Sequence, residues 1–127
     1  IPQSRRSIFV VEDSDDMRDF ITRQLSSTYH VVAVRNGREA LDILERSANT
    51  LPDIIISDVM MPEMDGLQLC HEIKKNPATK HITFIMLSAL ADDTSKLQGL
   101  KYGADAYMIK PFSIKELLVV KPLSKAA

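Results

Sequence analysis

The sequence predicts an α/β protein built on a doubly wound, five-stranded parallel sheet with helices on both faces. Five short apolar runs alternate with longer amphipathic stretches, and turn signals separate them. The runs are continuously apolar, which is typical of strands that are buried on both sides by helices. A length of 127 residues with 45% hydrophobic residues fits one domain with a single core.

The composition argues against several classes of protein. The 16 basic and 17 acidic residues leave a formal net charge of -1, so we expect no direct nucleic-acid binding through a broad basic surface. The single cysteine, Cys70, cannot form an internal disulfide, which favours a reducing compartment. No apolar run exceeds four residues, so we expect no membrane insertion.

The first two strand–helix units are each marked by a run, a turn signal and an apolar stripe. The run 8–11 is followed by Glu-Asp-Ser at 12–14, which can cap the start of a helix. The run 31–34 leads through Asn-Gly at 36–37 into a second helix, which ends before Pro52. The apolar residues at helical spacing are Met17, Phe20, Ile21 and Leu25, and then Ala40, Leu41, Leu44 and Ala48.

The other three units follow the same pattern. The β-branched run 53–58 leads to Asp-Gly at 65–66, which opens a third helix. The run 82–87 leads into a fourth helix, and the run 105–109 leads into a last helix that Pro122 cuts short. The third helix carries the apolar residues Leu67, Cys70 and Ile73.

Polar residues stand where the predicted strands end. Glu12 and Asp13 follow the first strand, and Asp58 closes the third. Ser88 follows the fourth strand and Lys110 follows the fifth. Because the carboxyl ends of parallel strands meet at one edge of the sheet, we expect three carboxylates, a hydroxyl and an ammonium to converge there.

This set of groups suits phosphoryl chemistry that depends on a metal ion. Crowded carboxylates repel one another, and a hard cation such as Mg²⁺ relieves the repulsion while it keeps open positions for a phosphate. An aspartate beside the ion can act as a nucleophile toward phosphorus. Lys110 can then neutralise charge on the phosphoryl group, and the Ser88 hydroxyl can donate a hydrogen bond to it.

Each residue taken alone also has an ordinary structural interpretation. Glu12 or Asp13 can be a helix cap, Asp58 a turn residue, Ser88 a loop hydroxyl and Lys110 a solvated charge. None of these interpretations requires acids and a cation at the same edge of the sheet. The joint pattern therefore favours the functional interpretation.

The sequence resembles the receiver domain of two-component response regulators from Ile8 to about Leu118. The segments that carry the resemblance are Val-Val-Glu-Asp at 10–13, Asp-Val-Met-Met-Pro-Glu-Met-Asp-Gly at 58–66, Leu-Ser-Ala at 87–89, and the stretch from Gly-Ala-Asp at 103–105 to Lys-Pro-Phe at 110–112. Together these motifs are highly specific. The residues of these segments are most similar to those of receiver domains in bacterial hybrid sensor histidine kinases.

The resemblance implies a flavodoxin-like sheet with strand order 2-1-3-4-5. It implies a receiver domain at residues 8–120, with an N-terminal linker at 1–7 and a tail at 121–127. Such a domain is a regulatory phosphoacceptor rather than an enzyme, although its parent chain can carry a kinase. The implied location is the bacterial cytoplasm, either free or as the cytoplasmic part of a membrane-anchored sensor.

The resemblance also implies a phosphoacceptor and a metal site. Asp58 would accept a phosphoryl group from a phosphohistidine on a sensor histidine kinase or phosphotransfer protein, with Mg²⁺ as the cofactor. Asp13 and Asp58 would bind the ion directly, and Glu12 would act mainly through water. The backbone carbonyl of Met60 would be a further ligand.

The remaining implied roles concern activation. Lys110 would pair with the phosphoryl group. Ser88 would turn toward a phosphoryl oxygen, and Tyr107 would move inward behind it, so that the surface around the fourth strand, fourth helix and fifth strand controls an output. Dimerisation stays open, because the predicted last helix is short.

Three alternatives remain. A phosphatase of the haloacid dehalogenase type needs an aspartate two residues after the nucleophile, and position 60 is Met. A nucleotide- or flavin-binding module needs a Gly- or Ser/Thr-rich loop after the first strand, where this chain is acidic. A degenerate receiver would act as a docking module that does not require phosphorylation.

Overall fold

The computed structural model describes residues 6–46, 51–59, 61, 63–88 and 101–109. These residues form five strands and three helices. The strands are β1 (Ser7–Val11), β2 (His30–Val34), β3 (Ile54–Asp58), β4 (Thr83–Ser88) and β5 (Ala106–Ile109), and the helices are α1 (Asp15–Leu25), α2 (Gly37–Arg46) and α3 (Gly66–Lys75). Most of the predicted fourth helix and the whole of the predicted last helix lie outside the described residues, as do Ala48, Met60 and Lys110.

The strands form one parallel sheet in the order β2-β1-β3-β4-β5, which confirms the predicted fold class and strand order. The central strands are almost fully buried, as their continuous apolar sequences predict. The edge strands β2 and β5 keep exposed positions. Burial therefore falls from the centre of the sheet to its edges.

Alternate residues of each central strand face opposite sides of the sheet and form two cores. On one side, Ile8 and Val10 of β1 pack in a cluster that includes Ile21 and Leu25 of α1. On the other side, Phe9 and Val11 belong to the cluster that α2 and α3 cover; its helical members are Ala40, Leu44, Leu69, Cys70 and Ile73. Helices thus lie on both faces, as predicted.

The helix starts follow their local sequence signals. Ser14 caps α1, because its side chain accepts a hydrogen bond from the Met17 amide at 3.3 Å. Asp65 caps α3 in a reciprocal capping box with Gln68. Phe20 was expected on the buried stripe of α1, but it is 45% exposed. It lies about 100° around the helix from Ile21, outside the buried stripe.

No helix in the part of the chain that the structure describes is both long enough and apolar enough to cross a bilayer.

Candidate functional site

The carboxyl ends of β1, β3 and β4 bring four of the predicted residues to one edge of the sheet. Glu12 and Asp13 follow β1 directly, and Asp58 and Ser88 are the last residues of β3 and β4. β3 lies between β1 and β4, and Asp58 pairs in register with Leu87, the neighbour of Ser88. The topology therefore joins residues that are up to 76 positions apart (88 minus 12) in the sequence.

Three of these residues form an acidic cluster, which is defined by Glu12, Asp13 and Asp58. Each offers a carboxylate oxygen, and these oxygens all lie within 4.8 Å of one another. Glu12 is buried, Asp58 is half-buried and Asp13 is exposed, so the cluster opens to solvent on one side. Like charges at this separation repel, and oxygen ligands are those that Mg²⁺ prefers. The donor set therefore fits a hard divalent cation.

Glu12 is held by its own backbone and by the start of α1. Its amide donates to the Val34 carbonyl of β2 at 3.0 Å. Its carboxylate accepts from the Ser14 amide at 3.2 Å, and its carbonyl accepts from Arg18 at 3.0 Å. With only 2% of its surface exposed, Glu12 holds its carboxyl group in a constrained position.

Asp58 is positioned by close backbone packing. The Ser57 hydroxyl donates to the Asp58 carbonyl at 2.9 Å. A Cβ added to Gly66 would lie 2.3 Å from that carbonyl oxygen, so only glycine allows the start of α3 to approach this closely. The Gly66 amide also donates to the Val59 carbonyl at 2.9 Å. These contacts hold the end of β3 against the start of α3.

The loop between β3 and α3 is anchored at Met64 and strained at Glu63. Glu63 has a φ of 64°, in the left-handed region that non-glycine residues rarely adopt. The next residue accepts a hydrogen bond through its carbonyl from the Gly37 amide of α2, at 3.3 Å. Such local strain persists only where the surrounding structure enforces it, so the backbone at Glu63 is held in place by its neighbours.

Ser88 and Tyr107 lie on neighbouring strands and share one face of the sheet. Tyr107 pairs in register with Met86, and Ile109 pairs with Ser88. Met86 and Tyr107 both contact the core under α2 and α3, and residue 88 alternates back to the side of residue 86. Ser88 is 3% exposed and Tyr107 is half-buried.

The remaining predicted site residues, Lys110 and Met60, lie outside the described residues, and their roles stay predictions. Sequence reasoning missed the contribution of Ser57 to the backbone at Asp58. The available signal was a serine between Ile56 and Asp58, at the end of an otherwise apolar strand. It also missed Arg18, which spans from α1 to Glu12 and pairs with Asp15.

Comparisons with known proteins agree with this geometry. Residues 8–120 match the family described as the response regulator receiver domain. Histidine kinase P4 of Formosa agariphila is 40% identical over 114 residues, which cover 90% of this chain and 8% of that protein. The probable transcriptional regulator ycf27 of Guillardia theta is 37% identical over 131 residues, which cover 98% of this chain and 49% of that protein.

Solved structures show the same similarity. A crystal structure of a putative response regulator from Chloroflexus aurantiacus superposes with a TM-score of 0.86 at 31% identity, covering 97% of this chain and 99% of that one. The signal receiver domain of a signal transduction histidine kinase from Syntrophus aciditrophicus gives a TM-score of 0.83 at 39% identity, covering 96% and 92%. The chain spans half or less of the two full-length relatives described above.

Proposed function

The chain belongs to the response regulator receiver domain family of two-component signalling, and from this premise we propose that Asp58 is its phosphoryl acceptor. The observation that carries the proposal is the acidic cluster, in which carboxylate oxygens of Glu12, Asp13 and Asp58 lie within 4.8 Å of one another. Asp58 is the half-buried member at the end of β3, where a donor can reach its carboxylate. Glu12 is too buried for that role.

The phosphoryl transfer is a substitution at phosphorus. A carboxylate oxygen of Asp58 forms the new O–P bond while the N–P bond of a phosphohistidine breaks. The electron pair of that bond stays on the imidazole nitrogen, which takes up a proton from solvent. The product is an acyl phosphate on Asp58, and the donor is a sensor histidine kinase or a phosphotransfer protein, on the same chain or on another.

The cluster residues would hold Mg²⁺, with Asp13 and Asp58 as direct ligands, Glu12 mainly through water and the Met60 carbonyl as a further ligand. When bound, the ion supplies positive charge that offsets the charge of the phosphoryl oxygens. The bonds from Ser14 and Arg18 keep Glu12 in place, so the negative charge of the cluster is preorganised. Lys110 would add a second positive charge at the phosphoryl group.

Ser88 and Tyr107 would report the modification to the rest of the domain. The Ser88 hydroxyl, at the end of β4, is placed beside the strand that carries Asp58 and can donate to a phosphoryl oxygen. Tyr107 lies on the same face of the neighbouring strand and would follow that movement. The surface around β4, the following segment and β5 would then control the output.

The setting of the domain follows from the same proposal. The parent protein would be a bacterial hybrid histidine kinase or a response regulator, and the receiver would work in the cytoplasm. The domain would be a substrate for its donor and would hydrolyse its own acyl phosphate. Its output would be exerted by other parts of the signalling system.

The first experiment measures intact mass after incubation with Mg²⁺ and acetyl phosphate. The wild-type chain should gain one phosphoryl group, and the gain should be lost in Asp58→Ala and after chelation of the metal. Asp42→Ala is the matched control, because Asp42 is an exposed aspartate on α2 away from the cluster. An equal gain in Asp58→Ala would place the acceptor elsewhere, and no gain in the wild type would favour a docking module or a receiver that accepts phosphate only from its own kinase.

A further inference from the structure

A second charged group lies at the opposite edge of the sheet, where α3 holds the turn that precedes β5. The Lys74 ammonium donates to the carbonyls of Lys80 at 3.1 Å and Ile82 at 2.6 Å. It also pairs with the Asp105 carboxylate at 2.9 Å. The Lys74 side chain is 16% exposed, so this lysine is largely withdrawn from solvent and bonded in three directions.

Asp105 extends the connection into β4. Its carboxylate accepts from the Phe84 amide at 2.7 Å, and its own amide donates to the Phe84 carbonyl at 2.8 Å. One carboxylate oxygen thus receives both the Lys74 ammonium and a backbone amide of β4. We call Lys74 and Asp105, with these contacts, the β5 clamp.

Two further contacts hold the same turn against α3. The Cys70 thiol donates to the Tyr102 carbonyl at 3.4 Å. Gly103 has a φ of 101°, and a Cβ added there would lie 3.0 Å from Cγ of Lys74. The turn therefore rests on the aliphatic stem of Lys74 while the ammonium bonds the residues around it.

The clamp ends where β5 begins. β5 is a four-residue edge strand with β4 as its neighbour, so few ladder bonds fix its position along the sheet. Its register places Tyr107 beside Met86 and Ile109 beside Ser88. In the sequence, Lys110 follows Ile109 directly. A shift of β5 along β4 would therefore move Tyr107 and the attachment point of Lys110 together.

We propose that Lys74 is a positioning residue for phosphorylation: by holding Asp105 at the start of β5, it sets where Tyr107 and Ile109, the residue before Lys110, stand relative to Ser88. This inference rests on the proposed function for the roles of Tyr107 and Lys110. The clamp lies where β4 and β5 begin, whereas Glu12, Asp13 and Asp58 lie at the carboxyl ends of β1 and β3. Loss of the clamp should therefore change phosphorylation without changing Mg²⁺ affinity.

The experiment compares Lys74→Met with Lys75→Met at a temperature at which both variants are folded. Lys75 is the matched control, because it is the next residue of the same helix, its side chain is 56% exposed and it pairs with Glu72. At saturating Mg²⁺ and acetyl phosphate, Lys74→Met should be phosphorylated on the order of tenfold more slowly than the wild type. Lys75→Met should match the wild type, and Lys74→Arg, which keeps the cation, should recover most of the rate.

Two readouts separate positioning from general damage. Mg²⁺ affinity, measured by calorimetric titration, should be the same in Lys74→Met and the wild type. In protein labelled with 3-fluorotyrosine, the ¹⁹F resonance of Tyr107, assigned by Tyr107→Phe, should shift in Lys74→Met. The resonance of Tyr29, which lies in the opposite core, should not. Asp105→Asn removes the clamp from its other side and should reproduce the Tyr107 shift.

The proposal is overturned if folded Lys74→Met keeps either the wild-type rate or the wild-type Tyr107 resonance. It is also overturned if Mg²⁺ affinity falls together with the rate, because the defect is then general. If the wild type takes up no phosphoryl group, that result bears on the proposed function or on the choice of donor, and the Tyr107 resonance alone then decides whether Lys74 places β5. If Lys74→Met does not fold, Asp105→Asn and Lys74→Arg provide the same comparison.

Discussion

The acidic cluster and the β5 clamp are both charged groups at edges of one sheet, but their charges are balanced in opposite ways. The cluster at the carboxyl edge gathers three carboxylates whose oxygens lie within 4.8 Å of one another. At the other edge, the clamp joins one ammonium to one carboxylate and two backbone carbonyls. The cluster carries repulsion that a bound cation can relieve, whereas the clamp satisfies its own charges. The group that can bind a cation therefore lies at the carboxyl ends of the strands, and the ion pair that holds β5 lies at the opposite ends.

The largest expected change in stability comes from substitution of the glycine that is closely packed in each region. Gly66→Ala places a Cβ 2.3 Å from the Asp58 carbonyl oxygen and 3.1 Å from Cα of Val59, both in the backbone. We expect a loss of about 3 kcal/mol or more in the free energy of unfolding, with loss of phosphorylation. Gly103→Ala should cost less, roughly 1 to 2 kcal/mol, because the nearest atoms belong to the Lys74 side chain rather than to the backbone and the main penalty is its φ of 101°.

Urea denaturation followed by circular dichroism measures both changes. If Gly66→Ala is as stable as the wild type, the end of β3 is more adaptable than its packing indicates. If Gly103→Ala is the more damaging substitution, the clamp rather than the acidic cluster is the more tightly packed region.

The next prediction concerns whether the removal of one charge raises or lowers the free energy of unfolding in each region. Lys74→Met should lower the free energy of unfolding by about 2 kcal/mol, because it leaves the Asp105 carboxylate and the Ile82 carbonyl without their ammonium partner. Asp58→Asn should raise it by about 1 kcal/mol in metal-free protein, because it removes a like charge from the acidic cluster. The two variants should therefore move stability in opposite directions.

Addition of Mg²⁺ should also affect the stability of the two variants differently. At ten times its dissociation constant the ion should stabilise the wild type by about 1.4 kcal/mol. It should stabilise Lys74→Met equally, since the clamp lies away from the cluster, and it should stabilise Asp58→Asn much less. Thermal unfolding with Mg²⁺ and with a chelator measures the difference. A destabilised Asp58→Asn in metal-free protein would mean that the carboxylate is held by favourable partners that outweigh the repulsion.

The smallest effect concerns Cys70, which lies beneath the clamp. Burial raises the pKa of its thiol to about 12, so the thiol stays protonated in the folded chain at neutral pH. In the unfolded chain the pKa is about 8.5. The folded state therefore binds the proton more tightly, and its advantage is complete below the unfolded pKa and is lost as the pH rises toward the folded value.

Stability should consequently fall by about 1 kcal/mol or less between pH 7 and pH 9, and Cys70→Ala should remove that part of the loss. This range lies below the titration of Tyr29, whose pKa burial also raises. Urea denaturation at the two pH values measures the slope. Rapid labelling of Cys70 by a thiol reagent in native protein at pH 8 would contradict the burial of this side chain.

Much of the fold could be predicted because its signals are local. Four consecutive apolar residues in β1, or the Ser14 cap of α1, determine an element through neighbours in the chain. The convergence of Glu12, Asp13, Asp58 and Ser88 followed from a topological rule, since parallel strands end at one edge. Phe20 was predicted wrongly, because helical spacing does not specify the rotation of a helix against its sheet.

The order of the elements and the identity of the acids at the carboxyl edge could be predicted from the amino-acid sequence alone, whereas the single core expected from length and composition is in fact two clusters, one on each face of the sheet. The tertiary structure decided that the Gly66 backbone lies against Asp58, that Ser57 bonds the Asp58 carbonyl and that Lys74 reaches Asp105. Lys74 and Asp105 are 31 residues apart, and nothing in their local sequence signals the contact. The physical reason is that secondary structure depends on nearby residues, whereas such contacts depend on how finished elements pack together.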